Sequence, residues 1–97
     1  MDGLQKIKDN NLKKVVSQTQ TEDLGTITEL DARDKQIENL EGIQYLSNLR
    51  KINLGRNKIK DIAPIAELSN LTGVFLERNS IQDISALKKL KTLPALN

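Results

Sequence analysis

Two consecutive blocks of 22 residues decide the fold: NLRKINLGRNKIKDIAPIAELS at 48–69 and NLTGVFLERNSIQDISALKKLK at 70–91. A related block, TITELDARDKQIENLEGIQYLS, precedes them at 26–47, and a partial one, TLPALN, follows at 92–97. An internal period of about 20–50 residues is typical of repeat architectures, in which each block forms one coil of a solenoid. The chain is therefore predicted to be a stack of coils.

The aligned blocks place aliphatic residues in seven columns without a polar exception. The columns contain Ile27, Leu49, Leu71 and Leu93; Leu30, Ile52, Val74 and Leu96; Ala32, Leu54 and Leu76; Ile37, Ile59 and Ile81; Leu40, Ile62 and Ile84; Ile43, Ile65 and Leu87; and Leu46, Leu68 and Leu90. Alternation around residues 52–54 predicts a strand with one buried face. Apolar residues every third position at 62–68 favour 3₁₀ or short helical turns. We expect an α/β fold, a right-handed solenoid with a parallel concave sheet and a 3₁₀ or irregular convex side.

Polar residues at equal positions of the blocks are predicted to support the turns. Asn57 and Asn79 stand where the chain leaves each strand, and their side chains can satisfy inward-pointing backbone groups. The first block has Lys35 there, so its turn should be looser or satisfied differently. Asp61 and Asp83 should accept neighbouring backbone amides. Calcium binding by these two carboxylates is the alternative, but the dense Asp/Asn/Gly loop of a calcium site is missing.

The N-terminal segment 1–25 is predicted to be a helical cap for the repeats at 26–97, since the first coil would otherwise expose its aliphatic edge. A first helix beginning at Asp2 should be broken by Asp9-Asn10-Asn11. A second should begin at Thr19 or at Thr21. Between them, three apolar residues should cover the first coil: Leu12, Val15 and Val16.

Composition argues against several classes of function. The chain has no Cys and no His, which removes disulfides, thiolate or imidazole metal sites and imidazole acid-base chemistry. No nucleophile-base pair is apparent, so neither an enzyme nor a cofactor is expected. The net charge of +2 is spread along the chain, which does not favour nucleic acid. No apolar run reaches the roughly 18 residues of a membrane span, and MDGLQKIKDN lacks the apolar core of a secretory signal.

The repeats NLRKINLGRNKIKDIAPIAEL and NLTGVFLERNSIQDISALKKL resemble the 22-residue leucine-rich repeats of the internalins, surface and secreted proteins of Gram-positive bacteria. The segment VVSQTQTEDLGTITELDARDKQIENLEGIQYLSNL, at 15–49, is similar to the internalin junction between cap and first repeat, including its GIQYL element. The resemblance implies a host-protein ligand on the concave face and a secreted or cell-surface location. It also implies an immunoglobulin-like domain or anchoring region downstream, which these 97 residues do not contain.

The strand pattern predicts which side chains line the concave face. They are Glu29, Asp31 and Arg33 in the first coil; Lys51, Asn53 and Gly55 in the second; and Gly73, Phe75 and Glu77 in the third. Phe75 is the only aromatic among them, and we expect its ring to be uncovered between Gly73 and Gly55. With Arg56 and Arg78 at the strand exits, Phe75 could be an interface hot spot. Alternatively it lies flat on Asn53 and binds nothing. Tyr45, on the convex side, is expected to be a packing residue.

Three functions are compatible with this sequence. The first is a bacterial surface or secreted recognition module that binds a protein, whole or as a truncated or engineered piece. The second is a cytoplasmic leucine-rich-repeat scaffold or regulator, and the third, catalysis, lacks a residue set. In addition, Leu93 and Leu96 begin a strand with nothing predicted beyond it, so we expect self-association through this apolar edge.

Overall fold

A computed structural model describes residues 4–20, 23–82 and the strand at 95–96. Its centre is a parallel sheet to which each block contributes one strand, in the order in which the strands occur along the chain. The strands are β1 (Glu29–Asp31), β2 (Lys51–Asn53), β3 (Gly73–Phe75) and β4 (Ala95–Leu96). The predicted parallel sheet is therefore confirmed.

The register of the sheet repeats the 22-residue period of the sequence. Leu30 pairs with Ile52, Ile52 with Val74 and Val74 with Leu96. The backbone ladder continues past the strands, because Ala32 N donates to Asn53 O at 2.8 Å. Corresponding residues of neighbouring coils thus lie side by side.

After β1 and β2 the chain returns through 3₁₀ turns rather than α-helices. One turn spans Ile43–Tyr45 in the first coil, and another spans Ala63–Glu67 in the second, with Pro64 as its second residue. Proline fits there because its missing amide has no partner to lose in the first turn. Asp61 Oδ1 accepts the Ala63 amide at 2.9 Å, as predicted for this carboxylate. Asp83, in the next block, is outside the described residues.

The core is aliphatic and follows the predicted columns. Every column member in the first two coils is buried, with exposures of 7% or less. In the third coil Leu71, Val74 and Leu76 are buried and Ile81 is partly buried. The cap residues Leu12, Val15 and Val16 join the same cluster, so the predicted cover of the first coil is confirmed.

The cap differs from its prediction in where its helices begin. Asp9 does not break a helix: it is the N-cap of α1 (Asn10–Ser17), and its Oδ1 accepts the Asn11 and Leu12 amides at 2.8 and 3.2 Å. The residues before it form only a 3₁₀ turn, Leu4–Lys6. Aspartate both stops a preceding helix and starts a following one, and here the second role prevails.

The second predicted helix of the cap is a 3₁₀ turn, Leu24–Thr26, capped by Asp23 rather than by Thr19. Asp23 Oδ1 accepts the Gly25 amide at 2.9 Å. This turn spans the proposed boundary between cap and repeats at residue 25, which stays a prediction. Asp2 and Thr21 lie outside the described residues.

Asp9 also fastens the cap to the first coil. Its Oδ2 accepts the backbone amides of Glu38 and Asn39 at 2.8 and 3.0 Å. Burial raises the pKa of this carboxyl, but its four backbone hydrogen bonds together outweigh burial and hold the pKa below its ordinary value. The ionised carboxylate is therefore the form that the fold stabilises.

Gly42 permits a close approach between the cap and the first coil. Its φ is +104°, and a Cβ built on it would lie 2.4 Å from Lys6 O and 2.6 Å from Ile7 Cα. Beside it, Lys8 N donates to Glu41 O at 3.1 Å. Only glycine combines this backbone conformation with the lack of a side chain.

The asparagine column binds each coil to the one before it. Asn57 is buried, and its Oδ1 accepts the Lys35 and Ile37 amides while its Nδ2 donates to Ala32 O, all at 2.9–3.0 Å. Asn79 Oδ1 likewise accepts the amide of Ile59 at 3.0 Å. The predicted structural role of both residues is confirmed.

The first coil has Lys35 where the later coils have an asparagine, and part of its turn is satisfied from the cap. Asn11 Nδ2 donates to Gln36 O at 3.2 Å, next to the amides held by Asp9. Gln36 also has a positive φ of 59°. The turn around Lys35 is therefore satisfied differently, as expected.

Candidate protein-binding face

The sheet places the predicted concave-face residues in ladders. Glu29, Lys51 and Gly73 are register partners in one ladder, and Asp31, Asn53 and Phe75 are partners in the next. The strand pattern thus brings together residues that are 22 positions apart in the chain. The predicted positions of these six residues in the sheet are correct.

A shallow depression of about 430 Å³ lies on this face. Its lining consists of Glu29, Leu30, Asp31, Lys51, Ile52, Asn53 and Phe75. Its charged side chains come from β1 and β2, while its one aromatic side chain comes from β3. Such a mixture of an aromatic centre with a polar rim is common in protein interfaces.

Phe75 is not uncovered, as the sequence led us to expect, but half-buried. The glycines on either side of it, Gly55 and Gly73, are themselves buried, and its register partner Asn53 is half-buried. The ring therefore belongs to the surface of the depression and is partly covered by its neighbours. Enough of it stays accessible to meet a ligand, which a fully packed core residue could not do.

Two rungs of this ladder are fixed by local hydrogen bonds. Asp31 Oδ1 accepts the Arg33 amide at 3.2 Å, and Asn53 Oδ1 accepts the Gly55 amide at 3.0 Å. Both side chains thereby close the turn that follows their strand. Phe75 occupies the equivalent position in the third coil and cannot accept such a bond.

The residues at the strand exits are exposed and share an unusual backbone conformation. Arg56 and Arg78 have φ values of 59° and 58°, as does Asp34 at the equivalent position, at 57°. Arg33 and Glu77 are also exposed, and the Glu77 side chain lies against Gly55. Left-handed backbone at non-glycine residues is costly, so this turn is held by the rest of the coil.

Tyr45 was expected to be a packing residue, and the structure corrects this. It is 44% exposed, the one exposed large hydrophobic side chain among residues 4–20 and 23–82. Lys6 of the cap stands over its ring, with Nζ 4.4 Å from the ring centroid. The sequence carried no signal for this pairing, because the two residues are brought together only by docking of the cap.

Within the described part of the chain, no cluster of three or more Asp, Glu, His or Cys side chains could hold a metal ion. In the same residues, no helix is long and apolar enough to cross a membrane.

Comparison with known proteins agrees with this geometry. The family described as leucine-rich repeats in two copies matches residues 26–67. An internalin, InlF, from Listeria monocytogenes is similar to 97% of this chain, with a TM-score of 0.87 and 32% identity. Internalin C2 from the same species is similar to 99% of the chain, with a TM-score of 0.91 and 28% identity. InlJ, at 24% identity and a TM-score of 0.89, supports the fold alone.

These relatives are longer than the present chain, which spans 31% of InlF, 47% of internalin C2 and 23% of InlJ. A search of curated protein sequences finds no significant match.

The parallel sheet, the asparagine column and the 3₁₀ turns define a leucine-rich-repeat solenoid. Proteins of this class present an extended surface and serve in general as protein-interaction modules. The repeats at 26–67 and the similarity to InlF and internalin C2 support an internalin-family leucine-rich-repeat protein. Resemblance in the repeats and in the cap predicted this family.

Proposed function

We propose that this chain is the recognition region of a surface or secreted internalin-like protein and that it binds a host protein on its concave face. The observation that carries the proposal is the half-buried Phe75 in a depression bordered by Glu29, Asp31 and Lys51. Aromatic residues surrounded by charged groups are enriched among interface hot spots. The family relationship supports the location, and the geometry supports the face.

The remaining residues of the proposed site have supporting roles. Lys51 and Glu29 are neighbours across the sheet and would select a partner of complementary charge pattern. Arg33, Arg56, Arg78 and Glu77 form the exposed border at the strand exits. Asn53 and Asp31 hold the turns, so their substitution would alter the shape of the face as well as its contacts.

The proposal is tested by titrating fluorescently labelled chain onto cultured host cells. Phe75→Ala should weaken saturable binding by at least about tenfold, as expected for loss of an aromatic anchor. Lys58→Ala, an exposed residue that lines neither this depression nor the convex turns, is the control and should leave this binding unchanged. Circular dichroism and urea midpoints must agree between the variants, so that a lost fold is not mistaken for a lost contact.

Equal affinity of Phe75→Ala and the unaltered chain would refute the assignment of this face. The location is tested separately: a secretion signal or wall-anchoring motif encoded in the parent gene supports it, and a full gene without either contradicts it.

A further inference from the structure

A second, larger groove lies on the side of the coils remote from the sheet. It is formed where the turn Ile43–Tyr45 of the first coil lies beside the turn Ala63–Glu67 of the second. Its volume is about 830 Å³, against 430 Å³ for the depression on the sheet, and the two share no lining residue. Binding in one is therefore separable from binding in the other.

The groove is acidic although the chain is basic. Four carboxylates line it, from Glu38, Glu41, Asp61 and Glu67, against the single ammonium of Lys60. The whole chain carries a net charge of +2, so its composition does not explain this excess of negative charge. Carboxylates gathered in a concave surface concentrate a negative potential that attracts cationic groups.

Most of these carboxylates have no partner of their own. Asp61 uses one oxygen to accept the Ala63 amide. Within the described part of the chain, the carboxylates of Glu38, Glu41 and Glu67 make no hydrogen bond or ion pair. They are therefore available to a ligand, and none must be released from an internal contact first.

Tyr45 lies in the wall of the groove and already binds a cation. The Lys6 ammonium, 4.4 Å from the ring centroid, lies in an adjoining depression of about 420 Å³ that shares Tyr45 and Glu41 with the groove. Attraction of an ammonium to a ring face is a recognition mode that lysine and arginine of a ligand can use as well. This internal contact indicates the chemistry that the wall selects.

We propose that this groove binds an extended segment of a partner protein that carries several lysine or arginine residues beside an apolar one. Two carboxylates come from each coil, Glu38 and Glu41 from the first and Asp61 and Glu67 from the second. Among the described residues these carboxylates do not form a cluster that could hold a metal ion, whereas a chain with several cations can pair with carboxylates spread along the groove. The half-buried Pro64 and the ring of Tyr45 provide the apolar contacts. A nucleic acid is repelled by the same carboxylates.

The test uses the acetylated, amidated peptide Arg-Arg-Leu-Arg-Arg and its counterpart Glu-Glu-Leu-Glu-Glu, titrated into isotopically labelled chain and followed by NMR. The arginine peptide should perturb amides of the two turns at 43–45 and 63–67, and the glutamate peptide should not. The affinity of the arginine peptide should fall steeply as the ionic strength is raised from about 0.01 M to about 0.15 M, because salt shortens the distance over which opposite charges attract.

Three variants sharpen this experiment. Tyr45→Leu keeps an apolar side chain but removes the ring face, and Glu41→Gln with Glu67→Gln removes two charges; each should weaken the arginine peptide by at least about threefold. Lys6→Ala removes the competing cation and should strengthen binding. Phe75→Ala is the control on the other face and should have no effect.

Perturbations spread evenly over acidic residues of the whole surface would overturn the proposal, as would an affinity unchanged in Tyr45→Leu. Because the peptide and variants address only the convex side, these results are independent of whether the concave face binds a host protein.

Discussion

Replacing Asp9 by alanine is expected to detach the cap from the repeats. The carboxylate accepts four backbone amides, two at the start of α1 and two in the first coil. Loss of an N-cap costs about 1 kcal/mol. Each of the two hydrogen bonds lost in the first coil costs about 1 kcal/mol more, and the total is therefore about 3 kcal/mol.

Urea denaturation measures this loss directly. For a domain of this size, about 3 kcal/mol also corresponds to a fall in melting temperature of roughly 12–24 °C. The matched control is Asp61→Ala, because Asp61 also accepts an amide, that of Ala63, but joins no two parts of the chain. It should lose only about 1 kcal/mol. A loss for Asp9→Ala no greater than that of Asp61→Ala would refute the role of Asp9 as a joint.

The same carboxylate gives the fold a defined pH dependence. Its pKa is lower in the folded chain than in the unfolded chain, where the carboxyl has its ordinary value of about 3.8. Its contribution is thus complete well above that value and disappears as the pH falls through the folded pKa. The difference in stability between the unaltered chain and Asp9→Asn, measured in urea, should be constant from about pH 7 to 5 and shrink below about pH 4. A difference that does not change down to about pH 2 would contradict the linkage.

Three further predictions concern the coils and their contacts. Gly42→Ala should lower the free energy of unfolding by about 3 kcal/mol, because of the left-handed backbone and the clash with Lys6 O. In the same urea titration the control Gly25→Ala should lower it by less than about 1 kcal/mol. Asn57→Ala should lower the free energy of unfolding by about 4 kcal/mol, because it leaves buried backbone groups without hydrogen-bond partners. Asn79 is less buried, so Asn79→Ala should lower it by about 2 kcal/mol, and equal losses would contradict this ranking. The self-association expected through Leu93 and Leu96 stays a prediction: the sedimentation coefficient of this chain of 97 residues should rise with concentration, and a constant monomeric value would contradict it.

The repeats could be predicted from sequence because one period fixed several properties at once. The position of Ile52 in its column determined its burial, its strand and its partners Leu30 and Val74. Asn57 was recognisable because a buried turn needs a donor and an acceptor, and asparagine supplies both. Repetition therefore turned a local pattern into a tertiary contact.

The cap and the convex side lacked such repetition, and there the predictions were weaker. Whether Asp9 ends one helix or begins another depends on amides 29 and 30 residues further along the chain. Tyr45 was misjudged because its partner Lys6 comes from another element. The covering of Phe75 likewise depends on neighbouring coils, which sequence distance within one block does not reveal.

The asparagine column gives the array a direction. Asn57 completes hydrogen bonds of the first coil, and Asn79 completes those of the second, so in both coils the completing side chain is encoded in the following block. Assembly of such a stack resembles polymer growth in which each added unit completes the hydrogen bonds of the one before it. A 22-residue block placed between existing ones would thus receive its completing hydrogen bonds from the block after it and supply them to the block before it. Inserting a whole block therefore keeps the hydrogen bonds between coils, whereas replacing the asparagine of a single coil removes them.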